Sequence, residues 1–295
     1  MISRRRLMSG GASALALTLA GPSRVARAEA GSAAAPVLFI SHGTPLFLRG
    51  NEGRIAELRA WGATLPKPRG IVVITPHFAS RTMELGRTGP GFAMANLPGA
   101  FQKLLGPDVT YATPPSEALA QRIEGLMGHA IARPERRGFD HTTWMPLKSL
   151  FPSADVPVLE LGYPFPSPQE GFALGRKLAP LRDEGVMFVA SGGMTHNLAA
   201  TALPGGPPRS DVPSFVTEFD AWAAERITRL AVDDLIDFRH KAPAVELAHP
   251  DDGAHYRVLL VALGVALHAR AAAREARFPI TGTEAAQSKR CVQLS

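Results

Sequence analysis

The sequence has a single cysteine, Cys291, so no disulfide can form within the chain. Many exported proteins hold their folds with cystines; this one must rely on packing alone. It also lacks a Gly-x-Ser-x-Gly element, and Ser191-Gly192-Gly193 has none of the strand-to-helix context of a serine nucleophile. No glycine-rich loop of the phosphate-binding kind is present. Long hydrophobic runs are missing too. The best, from Gly10 to Ala20, is too short to span a bilayer.

Acidic residues are absent from the first 28 positions, which hold Arg4, Arg5, Arg6, Arg24 and Arg27. A basic start, an apolar stretch and then Ala26-Arg27-Ala28 have the order of a secretory signal peptide. Ser3-Arg4-Arg5-Arg6-Leu7-Met8 further resembles a twin-arginine export signal. Residues 1–28 are therefore expected to be removed after passage through the twin-arginine machinery, leaving a periplasmic protein at 29–295 with no stable membrane association. Losing five arginines takes the formal charge from +6 to +1. The mature chain is nearly neutral, so nucleic acid is not an implied partner.

Four short apolar runs read as strands: 36–40, 71–74, 156–161 and 186–190. Their continuous rather than alternating character suggests burial on both faces, as in a largely parallel sheet. Helices are expected at 52–64, from 113–116 towards 130, at 168–182, at 214–230 and at 255–272. The expected class is α/β, a single domain with helices flanking a central sheet. The Gly-, Pro- and Asn-rich segment from 78 to 108 reads as a hairpin or long site-forming loops.

The nine histidines are informative through their positions. His42 follows the first strand, His77 the second and His196 the fourth. In an open parallel sheet the carboxyl ends of the strands form the ligand-binding edge, so these three should converge there. His141 lies in a further loop, and His249 and His255 bracket the start of the last helix. Neutral imidazole suits Fe, Zn, Cu or Ni, which points to one divalent metal at that edge. Asp251 and Asp252 are either carboxylate ligands or turn residues capping the last helix. His129, His240 and His268 read as ordinary surface or packing residues.

The motifs Ile40-Ser41-His42-Gly43-Thr44-Pro45, Ile74-Thr75-Pro76-His77-Phe78, Asp140-His141-Thr142-Thr143-Trp144, Ser191-Gly192-Gly193-Met194-Thr195-His196-Asn197 and His249 to Tyr256 occur in this order. Together they resemble the class III extradiol ring-cleaving dioxygenases, in the DOPA-dioxygenase branch. Thr142 stands where that pattern has Gly, and Pro76 and Phe78 replace Ala and Trp around the second histidine. The resemblance implies that 29–295 is an extradiol dioxygenase-like catalytic domain. It implies His42, His77 and His255 as metal ligands, with His255 fitting the third position better than His249. His196 is implied either as a second-sphere acid/base or as a fourth ligand in metal-loaded resting forms, and His141 as the other acid/base residue.

The implied reaction inserts O₂ into a catecholic ring and opens it, with Fe(II) for activity and Zn(II) as an alternative occupant. Export after folding would suit a protein that takes its metal before crossing the membrane. Trp144, Phe78 and Tyr256 are expected either to wall the aromatic substrate or to pack in the core. Asn197 is expected to orient His196 or cap the helix that follows. Two other functions share these residues: a zinc hydrolase that activates water, and a metal-binding protein without catalysis.

Overall fold

The computed structural model describes residues 34–43, 51–90, 94–95, 99, 103, 109–134, 137–164, 167–201, 211–270, 272–284 and 286–295. The signal peptide expected at 1–28 lies outside the described residues. In chain order the first strands are β1 (Val37–Ser41), β2 (Gly70–Ile74), β3 (Glu84–Leu85), β4 (Met94–Ala95) and β5 (Phe139–Asp140). They are followed by β6 (Val158–Gly162), β7 (Val186–Gly192), β8 (Ala276–Ile280), β9 (Thr283–Glu284), β10 (Gln287–Ser288) and β11 (Cys291–Leu294).

Seven of them form one sheet in the order β3-β6-β2-β7-β1-β11-β8. The central four, β6, β2, β7 and β1, run parallel, and the outer three pair antiparallel. Every residue of the central four is buried, as their unbroken apolar runs require. Alternate residues face opposite layers: Val37, Phe39, Val72 and Ile74 enter one core, and Leu38, Ile40, Ile71 and Val73 the other. The antiparallel β8 and β11 were not expected. They are short, and Arg277, Pro279 and Gln293 break their apolar character.

The helices are α1 (Glu52–Gly62), α2 (Glu117–Met127), α3 (His141–Leu150), α4 (Pro168–Leu178), α5 (Pro180–Asp183) and α6 (Ser214–Thr228). Three short ones follow, α7 (Val232–Ile236), α8 (Phe238–Lys241) and α9 (Val245–Ala248), and then α10 (Ala254–His268). α1 and α3 cover one face of the sheet, and α2, α4, α6 and α10 the other. Pro180 divides the helix expected at 168–182 into α4 and α5. Within 78–108, where a hairpin or long loops were expected, the described strands pair elsewhere, β3 with β6 and β4 with β5, and much of 91–108 lies outside the described residues. No helix among the described residues is long and apolar enough to cross a membrane.

α10 is buried almost throughout and crosses α4 at glycines. A Cβ at Gly175 would lie 2.1 Å from the Val261 carbonyl oxygen, and one at Gly264 would lie 2.3 Å from that of Phe172. Neither partner is a side chain that can swing away. Gly264→Ala is therefore expected to lower the unfolding free energy by about 1–3 kcal/mol through overpacking. A urea melt with a lower midpoint and unchanged slope would register it.

Candidate metal centre and active site

Strands β1, β7 and β2 are neighbours, so their carboxyl ends form one continuous edge. His42 leaves β1 with its amide donating to the Gly192 carbonyl at 2.9 Å. His77 sits in the 3₁₀ turn Pro76–Phe78, and its own amide donates to Thr75 Oγ1 at 3.3 Å. His255 is the second residue of α10 and reaches this edge because β7 ends in glycines. A Cβ at Gly192 would lie 2.1 Å from the His255 carbonyl oxygen, which also accepts from the Gly193 amide at 3.0 Å.

His42, His77 and His255 place one ring nitrogen each within 4.8 Å of one another, and their ring centroids are 5.3–5.4 Å apart. His255 Nε2 lies 3.4 Å from His77 Nε2. The outer nitrogens of two rings are tied down. His77 Nδ1 is 3.3 Å from the buried Asp140 Oδ1, and His42 Nδ1 is 3.2 Å from Ser191 Oγ. The Ser191 hydroxyl donates to the Thr142 carbonyl at 2.5 Å, so it accepts from His42 Nδ1–H. That carbonyl is free because Pro146, four residues on within α3, has no amide hydrogen to give it. Each anchored ring therefore turns an Nε2 lone pair inwards. His255 Nδ1 is buried without a hydrogen-bond partner. Inward lone pairs this close are opposed unless a cation sits among them, so the three imidazoles fit a divalent metal.

Two further histidines flank the triangle. His196 stacks on His255 with centroids 3.4 Å apart and planes 10° from parallel, and its Nδ1 lies 3.5 Å from Asp251 Oδ2. His141 packs edge-on to His77 at 4.9 Å, with Nδ1 3.3 Å from Asp140 Oδ1. His141 opens helix α3 rather than lying in a loop: Asp140 caps that helix by accepting from the Thr142 amide. Thr142, in place of the pattern's Gly, adds its hydroxyl to Asp140 at 2.8 Å and accepts from Thr75 Oγ1 at 2.7 Å.

Other expectations resolve differently. His249 is fully buried among Phe219, Phe238 and Tyr256, where its Nε2 donates to the Met194 carbonyl at 3.0 Å. It is a core residue and is not grouped with the three. Asp252 accepts from the Ala254 amide in the turn that leads into α10, whose N-cap is Gly253, and pairs with Arg257. Asp251 accepts from the Gly253 amide, yet its second oxygen faces His196, a partnership the sequence did not suggest. Trp144 and Tyr256 are fully buried on opposite sides of the sheet and wall no open site. Phe78 lies under the Arg137 guanidinium. Asn197 caps the turn Leu198–Ala200. His129, His240 and His268 each bond nearby groups away from the cluster.

Electrostatics favours neutral imidazoles. Burial, and then the neighbouring histidines, hold His42 and His255 well below the ordinary 6.5. Burial likewise lowers His141 to about 4 despite Asp140 beside it. For Asp140, burial works upwards, but the histidines around it prevail and hold the carboxyl at about 2. Neutral imidazoles with an ionised carboxylate behind them are the protonation states a metal requires.

Residues 36–288 match the family described as the catalytic LigB subunit of aromatic ring-opening dioxygenase. The chain belongs to this family. It is 32% identical to the 4,5-DOPA dioxygenase extradiol of Beta vulgaris over 239 residues, 77% of this chain and 85% of that one. The protein of the same description from Escherichia coli (strain K12) is 32% identical over 242 residues, covering 78% and 84% of the two chains. Dioxygenase tasH of Hapsidospora irregularis is 27% identical over 257 residues, 79% of this chain and 78% of its own. A solved structure of an uncharacterized protein from Escherichia coli K12 superposes with a TM-score of 0.70 at 30% identity, over 88% of this chain and all of that one. The protein is an extradiol ring-cleaving dioxygenase of α/β fold, which implies a divalent metal, an aromatic substrate and O₂.

Proposed function

We propose that the dioxygenase opens the ring of a catechol, DOPA-like or related, with one Fe(II) held by His42, His77 and His255. The observation that carries this reading is the triangle of imidazoles with two outer nitrogens pinned by Ser191 and Asp140. Iron(II), when bound, supplies the redox chemistry that joins dioxygen to the ring. His196 takes a proton from a catechol hydroxyl at Nε2, since its Nδ1 faces Asp251. His141, neutral at pH 7, takes the proton of the second catechol hydroxyl and donates it back as the ring opens. Zn(II) fits the same three imidazoles but cannot change oxidation state, so the zinc-filled protein is inert towards O₂.

The test is anaerobic purification, metal analysis, and oxygen uptake with DOPA and simple catechols after loading with each ion. Uptake with a yellow ring-opened product is expected for iron and none for zinc. An iron-loaded protein inert to every catechol would overturn the reading. Asp140→Asn is expected to weaken metal binding by about 10–100-fold, because the carboxylate orients His77. Competition against a chromophoric chelator measures this directly.

We further propose that residues 1–28 send the folded enzyme to the periplasm. Replacing Arg4, Arg5 and Arg6 by Lys should leave the precursor in the cytoplasmic fraction, and unchanged periplasmic recovery would reject this route.

A further inference from the structure

We infer that Asp251 is a positioning residue for His196, holding its proton on Nδ1 so that Nε2 offers a lone pair to the substrate. The inference rests on the proton-handling role given to His196 above. Its basis is a carboxylate whose two oxygens have separate tasks. Oδ1 accepts from the Gly253 amide at 2.9 Å and closes the turn, and Oδ2 faces His196 Nδ1 at 3.5 Å. That separation is long for a hydrogen bond, as acid–base pairs commonly are before substrate fills a site.

The turn itself is fixed from several sides. Arg239 donates to the carbonyl oxygens of both Asp251 and His249. Gly253 has φ +75°, and a Cβ there would come within 2.8 Å of the Phe238 ring. His196 is docked on the same segment: its amide donates to Ala248 at 2.8 Å, and Asn197 Nδ2 donates to Leu247 at 2.7 Å. The imidazole is also pressed flat against His255. Both partners are thus placed by the backbone.

His196, Asp251 and His255 are close enough to suggest a second cation site. The stacking argues against it. Lone pairs lie in the plane of an imidazole, so rings 10° from parallel cannot both aim one at the same ion. An orienting carboxylate is what remains. The physical reason is that a histidine donating Nδ1–H to a carboxylate is locked in one tautomer, with its Nε2 lone pair turned outward.

Asp251→Asn provides the test. The amide oxygen can still accept from Gly253, which leaves the NH₂ group facing His196. That donor demands an acceptor at Nδ1 and so inverts the tautomer without removing the turn. In ¹⁵N-histidine-labelled, zinc-loaded protein, with the His196 signal assigned by its loss in His196→Gln, the wild type should show Nδ1–H and Asp251→Asn should show Nε2–H. In iron-loaded enzyme, kcat should fall about 10–100-fold at unchanged KM and iron content, with partial recovery in Asp251→Glu. A wild-type His196 protonated on Nε2, or a variant that retains wild-type kcat, would overturn the inference. If the wild type opens no catechol, the proposed function fails, while the tautomer measurement still decides the role of Asp251.

Discussion

His196→Gln in the iron-loaded dioxygenase is expected to lower kcat by about 10²–10⁴-fold, the range general acid–base groups supply. This corresponds to roughly 3–5 kcal/mol of activation free energy. Iron stoichiometry should stay at the wild-type value. Both halves of the expectation come from geometry. The triangle of His42, His77 and His255 closes without His196, which stacks on the His255 ring. Removing the imidazole therefore takes away a proton acceptor and leaves the three ligating nitrogens in place. Glutamine keeps a polar group of similar reach without a basic nitrogen, so the surrounding loop is disturbed little. A variant that loses its iron together with its activity would make His196 a ligand and would sink the acid–base assignment. Retention of near-wild-type kcat would do so equally.

The parts of this site that were legible in the sequence are those fixed by local chain geometry. His42 and His77 follow unbroken apolar runs, and such runs announce strands whose carboxyl ends share an edge. The parts that were not legible depend on partners brought from far along the chain. Ser191 holds His42 only because Pro146 frees the Thr142 carbonyl, an arrangement spread over three elements. Asp251 could be read as a turn residue, which it is, and Asp140 carried no role of its own in the sequence; their partnerships appear only once His196 and His77 lie beside them. Helix α3 was hidden because Thr142, Thr143, Trp144 and Pro146 are poor helix formers. Its stability comes from the Asp140 cap and the burial of Trp144, Met145, Leu147 and Leu150 against α1 and the sheet. The paired glycines at the crossing of α4 and α10 were visible as residues, but nothing local said which backbones would meet there.

His249 should make the fold acid-sensitive in a window set by one buried imidazole. Burial lowers it from 6.5 to about 4, although its bond to the Met194 carbonyl acts the other way. Below pH 6.5 the unfolded chain takes up a proton that the native state refuses until about pH 4. The unfolded state then binds more protons, so stability falls as pH falls across this window. A depression of this size corresponds to about 3 kcal/mol, a large share of the 5–15 kcal/mol typical of a whole domain. His42, His141 and His255 act in the same direction. Glu160 opposes them: burial pushes it up to about 7, so between its ordinary 4.5 and 7 the native state holds the extra proton. Asp140, held at about 2, loses its contribution only below its ordinary 3.8 and stays outside the window. The net curve thus mixes opposing groups, and the decisive quantity is a difference. His249→Gln keeps an N–H donor in reach of the Met194 carbonyl and removes the titration. In urea melts of metal-free protein, the stability gap between wild type and this variant should change by about 3 kcal/mol in the variant's favour from pH 7 to pH 4. A gap that stays constant over that range would show that His249 is not what makes the native state refuse the proton.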